Sequence, residues 1–489
     1  MTRAFRRTVL MTSVCALTSL TAQRLQADTF EYVDEDRQKQ SVEASLYATG
    51  QGAMALELED GSLRLVPEAA IQKRMPGDDP TPITTDEMLA RLKDEFGEEL
   101  FRGQVAGNFV IGVILTAPLP KTSERAVQRN LLRAAGYMKS IEQTFARFCR
   151  TLKIKVEEPK YPLVVLIFET DDDFEDYTTK HTGGRGLSAG NIAGFYSSLT
   201  NYLYVRMSEC YTFGTPLHEA IHQQCFNTGV LARLAPIPVW FSEGMATGFE
   251  GSGERVKSDP QKLNATYARA LSEMGRLPSL SWTETVEKDS VFRGDIFAGE
   301  AYLNAWSLHW LLVTRKRREY GDYLKYLQTL QPLTEVDDRA RMQKFEDSFR
   351  VTPDELRGDF GKTFQSALRR QRLPADDQVK PGLVSTKTNL AAIDVYAETR
   401  GAVTSVQARV QNISPIRNMA YYVVVFTDAG TTAEWYLPGL KMSEATMLQP
   451  KQLVGLASRF GVLVKSTPTD SEENARWSRG QFPRLERRR

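Results

Sequence analysis

The segment Thr215-Pro216-Leu217-His218-Glu219-Ala220-Ile221-His222-Gln223 constrains this chain more than any other. Two of its only four histidines stand four apart there, with a glutamate after the first. Thr215 suits a helix N-cap and Pro216 a first helical position. The helix is expected to run to about Asn227, with Gly229 as its stop. On such a helix His218 and His222 project from one face and can grip one Zn²⁺. Glu219 lies about 100° round from His218, so it flanks the ion and can polarise a water there instead of binding the metal.

Catalytic zinc usually takes three protein donors and keeps one position for water. A third donor is offered by Pro238-Val239-Trp240-Phe241-Ser242-Glu243-Gly244-Met245-Ala246-Thr247-Gly248-Phe249-Glu250. Twenty residues separate His222 from Glu243, enough to end one helix, cross a loop and return. Trp240, Phe241 and Met245 mark this as a buried segment, and a buried glutamate needs a partner or a metal. Gly244 beside it would let a neighbouring backbone approach closely.

HEAIH followed by WFSEGMATGFE resembles the gluzincin metallopeptidases, in which an HExxH helix is completed by a downstream glutamate in a W-x-x-E-G-x-A segment. Over about residues 105 to 370 the chain is similar to the peptidase-MA-like domains of exported bacterial proteins. The resemblance implies that His218, His222 and Glu243 are zinc ligands and Glu219 the general base. Thr247 stands four after Glu243, where some gluzincins hold an aspartate against a ligand histidine. The Gly-x-Met-Glu-Asn signature of aminopeptidases is not found, so exopeptidase action does not follow. Gluzincins also use a later Tyr or His to steady the oxyanion. Tyr302, Trp306 and His309 share one helical face in Glu300 to Trp310. Tyr302 is the donor we expect, and His309 reads more readily as a core histidine.

The implied activity is zinc-dependent endopeptidase hydrolysis of a peptide or protein substrate. The alternative is an inert zinc-binding or cell-surface interaction protein that keeps the peptidase fold and acts through its β-rich flanks. Lys and Arg number 62 against 61 Asp and Glu, a formal charge of +1, so no global field draws nucleic acid to the chain. The oligomeric state is left open.

The N-terminus reads as a signal peptide over 1–27. A basic start, Met1 to Arg7, precedes an uncharged stretch from Thr8 to Ala22, with Ala22 and Ala27 as cleavage points. Export to the periplasm, the cell surface or the medium is expected. That stretch is too short and too rich in Thr and Ser to span a bilayer, and no later run is long enough. Cys149, Cys210 and Cys225 would remain; Cys210 and Cys225 could pair, or all could be buried thiols.

At 489 residues several domains fit. We read an α+β protein: a zincin-like metallopeptidase domain between a small N-terminal SH3-like β region and a β-rich C-terminal region. Residues 28–78 form the small barrel, with strands at Ser41 to Tyr47, Met54 to Leu58 and Leu63 to Pro67. Residues 79–104 are a linker and short helix, Asp86 to Phe101. The peptidase domain follows over 105–375. It holds a strand from Asn108 to Leu115, a long helix from Glu124 to Leu152 and a strand from Tyr161 to Phe168. A hairpin through Ser197 to Asn201 then presents Tyr202 to Val205 as an edge strand for substrate. Asp171-Asp172-Asp173 reads as a solvated strand end and His181 as exposed. The β-rich region spans 376–466, and 467–489 is a polar, disordered tail.

Overall fold

A computed structural model describes residues 28–78, 80–182, 194–211, 214–250, 259–293, 298–371, 383–388, 391–400, 403–427, 430–454, 460–465 and 476–477. The expected signal peptide and the boundary near Pro374 to Pro381 lie outside these residues. So do the side chains of Thr215 and His181, and the tail apart from 476–477. The architecture is mixed helix and sheet, with several small sheets.

Six short strands open the chain: β1 (Thr29–Val33), β2 (Lys39–Glu43), β3 (Ser45–Gly50), β4 (Ala53–Glu57), β5 (Leu63–Pro67) and β6 (Ile71–Met75). They form two three-stranded sheets, β2-β1-β6 and β3-β4-β5. Both sheets contribute to one core of Phe30, Tyr32, Ala44, Leu56 and Val66. The single strand expected from Ser41 to Tyr47 is two strands broken at Ala44. Its buried side chain faces this core, and its N–H donates to Asp28 O.

The central sheet is built from β7 (Phe101–Ala106), β8 (Phe109–Ile114), β9 (Leu163–Phe168), β10 (Gly194–Tyr196) and β11 (Tyr202–Arg206), in the order β10-β11-β9-β8-β7. The three middle strands run parallel and the outer pairs are antiparallel. Side chains alternate between two cores, as a period of two requires. Ile111, Val165 and Leu203 enter the larger core, with α2 (Glu124–Thr151) over it, while Val110, Val164 and Tyr202 enter the opposite one. The second core is closed by α1 (Thr85–Phe96) and α3 (Asp171–Thr182) through Met88, Leu92 and Phe174. Burial on both faces is why Leu163 to Phe168 reads as an unbroken apolar run.

Three expectations need correction here. The edge strand is β10, since β11 lies between β10 and β9; the shorter arm of the hairpin takes the outside. Asp171, Asp172 and Asp173 form the first turn of α3, where carboxylates favour the positive helix end. The short helix expected from Asp86 to Phe101 stops at Phe96, and Phe101 already opens β7. Thr84 and Glu87 close a capping box on α1, Gly97 ends it with φ +81°, and the 104/105 boundary falls inside β7.

Seven further helices, α4 (Gly214–Asn227), α5 (Val239–Phe249), α6 (Ala265–Met274), α7 (Trp282–Glu287), α8 (Ala298–Arg315), α9 (Arg317–Leu327) and α10 (Asp338–Phe349), are followed by α11 (Pro353–Arg370). Strands β12 (Leu383–Thr388), β13 (Ala391–Arg400), β14 (Val403–Asn412), β15 (Met419–Thr427), β16 (Thr432–Leu440), β17 (Ala445–Met447), β18 (Lys451–Val454), β19 (Phe460–Lys465) and β20 (Arg476–Trp477) complete the chain. They make two sheets, β12-β13-β14-β17 with β18 also on β14, and β16-β15-β19-β20. A shared core of Ile393, Val395, Val406, Val410, Val423 and Val425 lies between them. β20 falls in the expected disordered tail, yet it pairs with Gly461 and Val462 of β19. This sandwich is not detached. Ile413 and Ile416 join the large central core, and the Arg417 guanidinium meets the buried carboxylate of Glu169 at 2.9 Å.

No helix among the described residues is long and apolar enough to cross a membrane. Cys149, Cys210 and Cys225 are buried and not in disulfides; the Cys225 thiol lies 3.4 Å from Met245 Sδ.

Candidate metal centre

Helix α4 begins at Gly214 and stops at Asn227, followed by Gly229 with φ +72°. It presents His218 and His222 on one side. Helix α5 brings Glu243 against them and packs closely on α8. A Cβ at Gly244 would stand 2.7 Å from Ala305 O and 3.0 Å from the His309 Cβ, so only glycine permits this spacing.

The donor atoms of His218, His222 and Glu243 all lie within 4.8 Å of one another. Among the described residues, this is the one group of three or more such side chains able to hold a metal ion. The two Nε2 atoms are 3.2 Å apart. Glu243 Oε2 is 2.9 Å from His218 Nε2, and Glu243 Oε1 is 3.5 Å from His222 Nε2. Donors held ~2.0–2.1 Å from a tetrahedral zinc would be about 3.3 Å apart. The three side chains therefore fit Zn²⁺ in number, chemistry and spacing.

His218 Nδ1 faces Glu250 Oε1 at 2.8 Å. A carboxylate there fixes the Nδ1–H tautomer and leaves Nε2 to the metal. Sequence reasoning looked for this support at Thr247. That hydroxyl instead donates to the carbonyls of Glu243 and Gly244 inside its own helix. Glu250 stands seven after Glu243, so the missed signal was two helical turns instead of one. Glu250→Ala is expected to weaken zinc binding about 10–100-fold with the fold intact, measured by competition against a chromogenic chelator.

Burial disfavours the charged form of His218, but Glu243 and Glu250 raise its pKa well above the ordinary value. Glu243 moves the opposite way: burial would raise its pKa, and the nearby His222 and His218 hold it far below the carboxylate range. Burial raises the pKa of Glu219, partly offset by both histidines. Glu219 Oε2 also accepts the backbone N–H of Tyr196 at 3.0 Å, so edge strand β10 aims this carboxylate. No side-chain motif signals that contact, which is why the sequence did not reveal it.

The Tyr302 ring lies 6.4 Å from the His218 ring, half-buried on α8 against Phe292. Burial first, then the charges of Glu243 and Glu219, keep its hydroxyl protonated. His309 is a core residue: fully buried, 3.0 Å from the Tyr320 hydroxyl, with its pKa pushed down to about 3 by burial. Trp306 is likewise fully buried and stacks on Tyr267.

A family model described as "Protein of unknown function (DUF1570)" matches residues 212–334, about a quarter of the chain. That span holds both histidines, Glu219, Glu243, Glu250 and Tyr302. No curated protein matches. Among solved structures, the chain is similar to the M60 catalytic domain of ZmpC from Clostridium perfringens in complex with the sialyl T antigen. The identity is 9%, covering 89% of this chain and 87% of that one, with a TM-score of 0.28. It is also similar to the ZmpB metallopeptidase of the same organism at 9% identity, with 93% and 91% covered and a TM-score of 0.28. At these values neither likeness carries an argument about this chain's site.

Proposed function

We propose that this chain is an exported zinc endopeptidase of the gluzincin kind. The convergence of His218, His222 and Glu243 beside a half-buried, aimed Glu219 is the observation that supports it. His218 and His222 would hold the ion through Nε2, and Glu243 through its carboxylate. A bound Zn²⁺ would supply Lewis acidity, making water a stronger acid and a carbonyl more electrophilic.

The protein's own groups do the rest. Glu219 accepts a proton from the attacking water and returns it to the leaving amine. Burial raises its pKa, the direction that a group which must both take and give a proton requires. The Tyr302 hydroxyl, protonated and near the cluster, donates to the oxyanion. Glu250 keeps His218 oriented throughout.

The test is metal analysis of the purified protein, paired with digestion of a peptide library. We expect about one zinc per chain, internal cleavage of peptides, loss of cleavage after chelation and its return when zinc is added back. Stoichiometric zinc with no cleavage would favour the inert zinc-binding reading. A chain that binds no zinc would overturn both.

A further inference from the structure

Arg233 lies in the connection between α4 and α5, and although charged it is only 3% exposed. One terminal nitrogen of its guanidinium reaches Glu57 Oε1 at 2.8 Å. The other donates to Gly61 O at 2.6 Å and to Ser198 O at 3.4 Å. Glu57 is buried too, and its second oxygen accepts from the Tyr161 hydroxyl at 2.7 Å and from Lys160 at 3.0 Å. The Tyr47 ring lies beneath the guanidinium, and its hydroxyl donates to Arg233 O at 3.3 Å. Close by, Leu63 N–H donates to Leu199 O at 2.6 Å. Three parts of the chain therefore meet at one cation. They are the turn between β4 and β5, the tip of the β10–β11 hairpin, and the link between the two metal helices.

Stability alone does not call for a charge here, because a buried ion pair can be replaced by well-packed apolar side chains at little or no cost. A guanidinium adds direction: it holds a carboxylate and two carbonyls in fixed relative positions. The hairpin it grips carries Tyr196, whose N–H points at Glu219. Other ties flank the turn of the hairpin, at Tyr196 and Asn201. The Asn201 and Asn227 amides bond each other, and Tyr196 stacks on Phe226 at the end of α4. The tip, Ser198 and Leu199, is held by the N-terminal module.

We propose that Arg233 and Glu57 are positioning residues, through which the N-terminal β module holds the hairpin so that Tyr196 N–H stays on Glu219. The small module is then a brace for the site, not a separate binding unit. The catalytic consequence rests on the reading of Glu219 as the base; the mechanical claim stands without it.

The test uses the full chain carrying Glu57→Leu with Arg233→Met, which removes both charges together and leaves no unpaired buried ion. Phe30→Leu, in the core of the same module and outside the contacts that Arg233 makes, serves as a control for lost stability. Hydrogen exchange is followed over residues 194 to 204, with zinc affinity and peptide cleavage measured in parallel. In the double variant we expect the Tyr196 amide to exchange at least about tenfold faster, with zinc affinity within about threefold of the parent. Where cleavage is measurable, kcat falls and KM holds. The control leaves Tyr196 exchange unchanged. Parental Tyr196 exchange in the folded double variant would overturn the proposal, as would equal acceleration in the control. If the double variant does not fold, Arg233→Lys keeps the charge and loses the fork, and parental exchange in that variant would equally overturn it. If the parent protein cleaves nothing while Tyr196 still responds, the endopeptidase reading falls and the brace remains.

Discussion

Glu219→Gln should lower peptide hydrolysis by about 10²–10⁴-fold while zinc stays bound. The substitution is close to isosteric. Its amide oxygen can still accept the Tyr196 N–H that aims the native carboxylate, so the side chain keeps its place. What it loses is the ability to take a proton. None of the three proposed metal donors changes, and His218 keeps Glu250 on Nδ1. Turnover and zinc content must therefore separate: kcat on a cleavable peptide collapses, and metal analysis still returns the parental stoichiometry. Retention of more than about a tenth of the activity would remove Glu219 from the role of base.

His222→Ala should have the largest effect on the metal. Losing one of three protein donors is expected to cost about 10³-fold or more in zinc affinity, which is about 4 kcal/mol. The remaining pair, His218 and Glu243, would still contact each other at 2.9 Å through Nε2 and Oε2. His222 is only half-buried, so the fold should survive the truncation. Two measurements check this. Chelator competition reports the affinity directly. The thermal midpoint adds independent support: zinc should raise it in the parent, because a ligand that binds only the folded state stabilises it, and that increment should vanish in the variant. A variant that keeps its zinc through dialysis would show that the ion sits elsewhere.

Much of the site was legible because helical spacing is a local rule. Residues four apart share a face wherever a helix forms, so His218 and His222 needed only their own segment. Glu243 needed only a second helix with a buried face. Elements with strong internal periodicity, such as Glu124 to Leu152, were equally readable. What escaped depends on contacts between segments distant in sequence. The Tyr196 N–H on Glu219 is a backbone group and has no residue signature. Glu250 lies at an unexpected offset from Glu243. Whether β10 or β11 is the edge depends on pairing with β9, which periodicity does not report. The short strands β1 and β6 and the one-and-a-half-turn helix α7 were missed because each draws its stability from packing on neighbours more than from its own pattern. Helices α10 and α11 did carry local signals, the Asp337 N-cap and the Thr352–Glu355 capping box, and these went unread.

The loop at Ile413 to Arg417 carries a consequence for how the molecule is made. It places two isoleucines in the central core and a guanidinium on Glu169, whose carboxylate is otherwise buried at 2% exposure. A chain emerges from its N-terminus, and domains generally fold as units in that order. Here the middle is fully synthesised before the residues that finish its interior exist. Until position 417 is available, one apolar face of the core stays open to water and one carboxylate lacks its cation. The C-terminal β-rich region thus decides when the central body can close, and order of synthesis and order of completion run in opposite directions.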